Sequence, residues 1–164
     1  MSAAAGQSWD GLARAVTNGD GAKQEASLLR ELLVFSVDGD PYAVPVERVR
    51  EIVRMRPITK VPRVAPEILG VIGLRGEIVQ VLDLRRRFGL PAQETTRRHR
   101  IVVLHGDEGE VSGLLVDAVT AVLRVGEDAI RPPTAGESEF VQALAAEGED
   151  FVGLLNLERV LNVG

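Results

Sequence analysis

The sequence predicts a mainly β protein built as two small barrels packed together, with short helices that include one at the C-terminus. Three observations carry this. Short apolar runs rich in Val, Ile and Leu alternate with turn signals such as Asp38-Gly39 and Arg75-Gly76. No long run shows the helical period that a parallel α/β fold would need between its strands. The hairpin pattern also restarts near residue 100, so two similar units are the economical reading of 164 residues.

Each element has its own local signal. Residues 1–30 form an N-terminal extension, expected to be flexible: Ser2 to Gly6 and Thr17 to Ala22 are small and polar. Between them Ser8 is placed to cap a short helix in which Trp9, Leu12, Ala13 and Val16 share a face, although Gly11 weakens it. That face reads either as a docking peptide or as a helix folded back on its own domain. Leu32–Val37 and Tyr42–Val46 form a hairpin around Asp38-Gly39. Glu47 to Ile52 has a short helical pattern, and Pro57, Pro62 and Pro66 punctuate the stretch that leads to residue 68.

Ile68–Leu74 and Ile78–Leu82 read as strands around a tight turn at Arg75-Gly76. Asp83 then caps a single helical turn, in which Leu84 and Phe88 stack before Gly89 and Pro91 end it. Arg100–Leu104, Val111–Val116 and Ala121–Val125 are the next strands. Gly126 to Asp150 reads as looser chain. Phe151–Leu155 is the last strand, and Asn156 caps a helix whose Leu157, Val160 and Leu161 face inward. The first barrel is thus expected over roughly residues 32–92 and the second over roughly 98–164, with an exchange of strands between them left open.

Composition excludes several functions. At 45% hydrophobic and 26% charged, the chain is too apolar to be disordered, and with aromatics at only 4% its core must be aliphatic. With no cysteine, disulfides and thiolate metal sites are excluded, and His99 and His105 alone make a poor zinc site. No apolar run approaches a membrane span, and the N-terminus lacks the pattern of a secretory signal, so a soluble cytoplasmic protein is expected. The net charge of −5 conceals an asymmetry: residues 47–63 and 84–100 are arginine-rich, and the chain beyond 105 is strongly acidic. Such polarity suits oriented docking onto charged partners, or it only keeps loops solvated. Nucleic acid is disfavoured, because Phe88 is the only aromatic residue among the basic residues of 47–100.

Catalytic motifs fail on inspection. Gly70, Gly73 and Gly76 have GxxGxxG spacing, which does not open a dinucleotide-binding helix. There is no phosphate loop, no GxSxG elbow and no HExxH. Asp83 and Asp117 each end an apolar strand, where carboxylates can work as acid and base, but bonding to the backbone there explains them better. No cofactor is expected. Arg75 stands out: it is either available to a partner carboxylate or an ordinary solvated turn residue.

An ordered set of motifs resembles the CheW family of chemotaxis coupling proteins over residues ~32–162. It comprises Phe35 to Val46, Val49-Arg50-Glu51-Ile52, Ile58 to Pro62, Gly70-Val71-Ile72-Gly73-Leu74-Arg75-Gly76 and Val81-Leu82-Asp83-Leu84-Arg85. Gly113 to Asp117, Ile130-Arg131-Pro132-Pro133 and Leu154 to Leu157 continue it in the family's order. The resemblance implies two five-stranded SH3-like barrels and an adaptor without catalytic activity. It implies as partners the cytoplasmic tips of methyl-accepting chemoreceptors and the regulatory domain of a CheA-type histidine kinase, with recruitment to membrane receptor arrays but no direct insertion.

By position in these motifs, Val49, Glu51, Gly70, Leu74 and Arg75 are candidates for receptor binding, and Arg131 for kinase binding. Two positions depart from the family pattern: Gly73 stands where Asn is usual, and Gln80 stands where proline is common, a change expected to relax an edge strand. A polarity or localisation factor that tethers signalling arrays or motility machinery is the alternative, suggested by the Trp9 segment. An unrelated SH3-like binder of peptides fits less well, because such grooves are lined with aromatic residues.

Overall fold

The computed structural model describes residues 29–163, so the helix expected around Trp9 lies outside the described residues. Strands β1 (Leu29–Val37) and β2 (Asp40–Pro45) form the predicted hairpin. At its tip Asp38 and Gly39 have φ of 55° and 82°, the two-residue turn whose twist matches that of its strands. A single 3-10 turn, Val46–Arg48, leads into β3 (Val49–Arg54). The helical pattern expected over Glu47 to Ile52 is therefore confined to that turn. From Val49 onward the β-branched residues extend as a strand paired with β6 (Arg100–His105), and the pairing outweighs the local pattern.

Strands β4 (Ile68–Leu74) and β5 (Glu77–Asp83) are joined by Arg75 and Gly76, with φ of 53° and 81°. The short helix α1 (Leu84–Arg87) is capped by Asp83, whose Oδ1 accepts from Arg85 N at 3.1 Å, and it ends at Gly89. Strands β6, β7 (Val111–Val116) and β8 (Ala118–Gly126) come next. The stretch read as loose holds a 3-10 turn and two further strands, β9 (Ile130–Arg131) and β10 (Val141–Glu147). Strand β11 (Asp150–Leu155) and helix α2 (Leu157–Leu161) close the chain, with Asn156 Oδ1 accepting from Arg159 N at 3.2 Å.

The strands form two sheets, one of five strands in the order β3-β6-β7-β5-β4 and one of six in the order β8-β1-β2-β11-β10-β9. These do not follow the two halves of the chain. The β1–β2 hairpin joins the later strands through β8 and a parallel pairing with β11, and β6 and β7 join the earlier strands through β3 and a parallel pairing with β5. Strands are thus exchanged between the barrels, and the boundaries at 92 and 98 do not separate the sheets. Strand β5 lies between β7 and β4, so Gln80 is on an interior strand rather than an edge.

Three cores explain this arrangement. Val53, Ile72, Leu74, Val79, Val81, Ile101, Val103 and Leu115 fill the interior of the five-stranded sheet. Leu32, Val34, Ala43, Val125, Ala145, Val152 and Leu154 fill the other. Between the sheets Leu33, Phe35, Val37, Val44, Leu82, Leu84, Val102, Leu104, Leu114, Val116 and Leu155 meet in a third core, which α2 covers with Leu157 and Val160. Strands β1 and β6 are buried on both faces, so alternate residues serve different cores and the sequence reads as a continuous apolar run. Each fully buried aliphatic side chain contributes about 2 kcal/mol of transfer free energy, and Phe35, Leu104 and Leu155 place that directly between the barrels. Phe88 completes this core against Tyr42 and Phe140, with ring centroids 5.0 and 5.5 Å away.

Candidate functional site

The 3-10 turn Val46–Arg48 is where the chain crosses from the six-stranded sheet to the five-stranded one. Val46 and Val49 flank the crossing and pack half-buried on the inter-barrel core. One pleat further, Glu51 meets the tip of the β4–β5 hairpin. Its carboxylate accepts two bonds from Arg75, at 3.0 Å from Nε and 3.2 Å from Nη2, the fork-to-fork geometry in which a guanidinium holds a carboxylate most firmly. These hydrogen bonds hold the Glu51 carboxyl below its ordinary pKa and raise that of Arg75. The neighbouring Arg50 pairs with Glu77 at 2.6 Å, so β3 is tied twice to the hairpin that closes its barrel.

Arg75 is unusual in two ways. Its side chain is 70% exposed although it is paired, so much of the guanidinium faces solvent. Its backbone also occupies the left-handed region, which costs a residue other than Gly, Asn or Asp roughly 1–2 kcal/mol. Glu51, by contrast, is 20% exposed and anchors the pair from below.

The other predicted receptor residues have structural placements. Gly70 has φ of +147°, and a Cβ there would overlap the Thr59 carbonyl oxygen. Thr59 and Val71 exchange backbone hydrogen bonds of 2.9 and 2.8 Å, so Gly70 lets the proline-rich connection lie against the edge of β4. Leu74 is buried in the interior of its barrel and seats the turn that carries Arg75. Gly73 faces open space, with its carbonyl 3.5 Å from Arg56 Nη1, so the missing Asn side chain would meet no obstacle. The structure therefore brings Glu51 and Arg75 together, sets Val49 nearby on the same strand, and gives Gly70 and Leu74 supporting positions.

Sequence reasoning missed two exposed apolar residues, one on β1 and one on β8. Leu29 and Leu33 lie on one face of β1 by alternation, and Val122 of β8 stands opposite Leu33 on that face. Leu33 is buried in the inter-barrel core, but Val122 is 60% and Leu29 42% exposed, so the core runs out to solvent here. Leu29, Arg30, Glu31, Val46 and Glu47 line a cleft of about 280 Å3, and Glu31 pairs with Arg124 at 3.8 Å between Leu29 and Val122. No local signal marks Val122 in the sequence, because only its register against β1 distinguishes it from its neighbours.

Arg131 ends β9 at an edge of the six-stranded sheet, whereas the Arg75 hairpin belongs to the five-stranded one. Its guanidinium lies 5.3 Å from the centre of the Phe151 ring, itself 41% exposed. Both line an open cleft of about 510 Å3 together with Tyr42, Pro132 and Glu137. Burial, then the charges of Asp40, Glu137 and Asp38, raise the Tyr42 hydroxyl above its ordinary pKa.

The two aspartates considered for acid–base work are bonded to the backbone. Asp117 Oδ2 accepts from Asp38 N at 2.8 Å and from Arg85 Nη1 at 2.9 Å. Arg85 also reaches Asp38 Oδ1 at 3.1 Å and the Pro91 carbonyl at 3.0 Å, so its guanidinium is spent inside the fold. Burial raises the Asp83 carboxyl, against the helix-capping bond and the nearby arginines. His99 is buried, with Nδ1 accepting from Thr96 N at 2.9 Å and Nε2 3.6 Å from Asp117, while His105 lies at the end of β6. Among the described residues no group of three or more His, Cys, Asp or Glu forms a metal-holding cluster, and no helix is long and apolar enough to cross a membrane.

Two interlocked β-barrels, one with an arginine at its hairpin tip, define a double-barrel β scaffold with shallow open clefts. The CheW-like domain model matches residues 31–163, and the chain belongs to the CheW family of chemotaxis scaffolds. It is 38% identical over 136 residues to the chemotaxis protein CheW of Rhizobium meliloti (strain 1021), covering 80% of this chain and 86% of that protein. It is 40% identical over 106 residues to the chemotaxis protein CheW of Bacillus subtilis (strain 168), covering 65% and 67%. The crystal structure of the scaffolding protein TtCheW from Thermoanaerobacter tengcongensis superposes with a TM-score of 0.76 at 32% identity, covering 82% of this chain and 94% of that one.

Proposed function

We propose that this adaptor joins the cytoplasmic tips of methyl-accepting chemoreceptors to the regulatory domain of a CheA-type histidine kinase, and that it is cytoplasmic until arrays recruit it to the membrane. The receptor tip lies at the barrel crossing against the half-buried Val46 and Val49, with Arg75 and Glu51 beside them. The observation that carries this reading is the exposed Arg75 guanidinium, held by two bonds to Glu51 at the tip of a left-handed turn. A charge fixed in this way orients a partner and speeds its capture, while further burial of Val46 and Val49 supplies the affinity. The kinase contact uses the edge of the six-stranded sheet, where Arg131 and Phe151 form an exposed cation–π pair. Two sites on different sheets, with different chemistry, allow both partners to be held at once.

The test is a pair of calorimetric titrations, one against the regulatory domain of a CheA-type kinase from the same organism and one against a receptor tip fragment. Saturable micromolar binding to both is expected, with Arg131→Glu weakening only the first and Arg75→Glu only the second. Failure to bind any such kinase domain would contradict the proposal.

A further inference from the structure

Several arginines of the barrels hold a carboxylate: Arg50, Arg75, Arg85 and Arg87 pair with Glu77, Glu51, Asp117 and Glu67. The end of the five-stranded sheet where β3 stops and β6 begins is different. Arg54 stands directly opposite Arg100 in that ladder, and the exposed Arg97 and Arg98 occupy the turn that leads into β6. Residues opposite each other in antiparallel strands project from one face with their Cβ atoms about 5 Å apart, where like charges repel. No carboxylate of the described residues pairs with any of the four. The turn is nevertheless held in place. Buried His99 accepts from Thr96 N through Nδ1 at 2.9 Å, while His99 N and Arg98 N donate to Thr96 O and Oγ1 at 3.2 and 3.1 Å. Arg100 Nη1 donates to the carbonyls of Arg97 and His99 at 2.6 and 2.8 Å. These bonds fold its guanidinium over the same turn and leave Nε and Nη2 without a partner among the described residues.

Solvation is served as well by arginines spread over a surface, and it does not call for two held face to face across a ladder. We infer that Arg54, Arg97, Arg98 and Arg100 form an anion site whose ligand carries several phosphate groups in one chain, a soluble polyphosphate. Guanidinium forks match phosphate oxygens in bidentate fashion, and four cations at one sheet end match the charge density of a polyphosphate better than that of single carboxylates. Thr95 to Arg98 present no apolar side chain to enter a bilayer, and no aromatic residue stands among the four on which a base would stack. The phosphate chain itself is therefore what the site reads. Bound there, it replaces the repulsion between Arg54 and Arg100 by a bridge and strengthens the pairing of β3 with β6. Strand β3 also carries Glu51, so the same ligand steadies the strand on which Arg75 is held. The inference rests on neither of the partners proposed above.

Titration of the full-length protein with inorganic tripolyphosphate tests the site, followed by calorimetry and by thermal unfolding at an ionic strength held constant with sodium chloride. Saturable one-to-one binding is expected, with a melting temperature that climbs with ligand concentration. Arg54→Glu places opposite charges across the ladder. Without ligand this variant should melt no lower than the unmodified protein, yet it should bind about 10-fold or more weakly. Arg98→Ala, on the exposed turn, should weaken binding by about 3-fold or more with the melting temperature unchanged. A response no larger than that to sodium chloride of equal ionic strength would overturn the proposal and leave the four arginines a solvated surface. Tripolyphosphate binding that ignores both Arg54→Glu and Arg98→Ala would overturn it too. Sedimentation with phosphatidylglycerol vesicles, with no response to tripolyphosphate, would assign the arginines to a lipid surface and overturn the soluble ligand.

Discussion

The molecule contains the same hairpin tip twice, with opposite uses. Asp38-Gly39 joins β1 to β2 and Arg75-Gly76 joins β4 to β5, each with two successive residues at positive φ. Each first residue is charged and takes part in an arginine–carboxylate contact. Aspartate suits this backbone, and Asp38 turns toward Arg85, whose side chain is only 10% exposed and which also binds Asp117. That contact ties the tip of one barrel's hairpin to the end of β7 and the start of α1 in the other. Arginine has no local reason to stand in such a turn. Arg75 is 70% exposed, and its partner Glu51 belongs to the same barrel, so the contact adds little to the union of the two. The first tip is accounted for by the fold. On the proposed function, the second is accounted for by the charge it presents to a receptor.

Substitutions should separate the two. The largest effect is expected for Arg85→Met, which leaves the carboxylates of Asp38 and Asp117 without their shared cation. Loss of one partner from a buried ionic network costs about 3–5 kcal/mol, and the half-exposed Asp38 places this protein near 3. Urea unfolding monitored by circular dichroism would measure it, and a change within error would show that the Arg85 cluster does not hold the barrels together. Arg75→Asn should behave in the opposite way. Asparagine tolerates the left-handed turn, so the melting temperature should stay level or rise, while receptor tip binding weakens by about 10-fold or more as the oriented charge is lost. A fall in stability with binding intact would reverse the roles assigned to the two tips.

The smallest effect concerns pH. The folded-state pKa of Glu51 is lowered, so the contribution of its pair is complete above the unfolded value, near the ordinary 4.5, and is lost as the pH falls through the lower folded value. The stability difference between the unmodified protein and Glu51→Gln should therefore be constant from about pH 5 upward and shrink in acid. High salt should diminish it throughout, because Arg75 is exposed. A difference that grows in acid would contradict the assignment of the shift to Arg75.

Much of this was legible in the sequence, for local reasons. The two hairpin tips, the caps at Asp83 and Asn156 and the C-terminal helix are all fixed by residues within a few positions of one another. The pairing of Glu51 with Arg75 was not visible as geometry, but both residues stood in recognisable motifs. What escaped depends on distant partners. Strand β10 reads Val-Gln-Ala-Leu-Ala-Ala-Glu, a poor strand former by composition, and is held extended by β11 and β9. The exchange of hairpins rests on the two parallel pairings, β2 with β11 and β5 with β7, and nothing in either strand names its partner. Val122 escaped for the same reason, since its exposure comes from its place opposite Leu33 at the edge of the inter-barrel core.

The central claim is that the Arg75 hairpin of this molecule holds receptors while the edge that carries Arg131 holds the kinase. Co-sedimentation of the kinase with receptor-containing membranes, with and without this protein, tests it most directly. The account predicts that the kinase pellets only when the adaptor is present, and that Arg75→Glu leaves both adaptor and kinase in the supernatant although they still bind each other. Kinase that pellets equally without the adaptor, or with the Arg75→Glu variant, would contradict it.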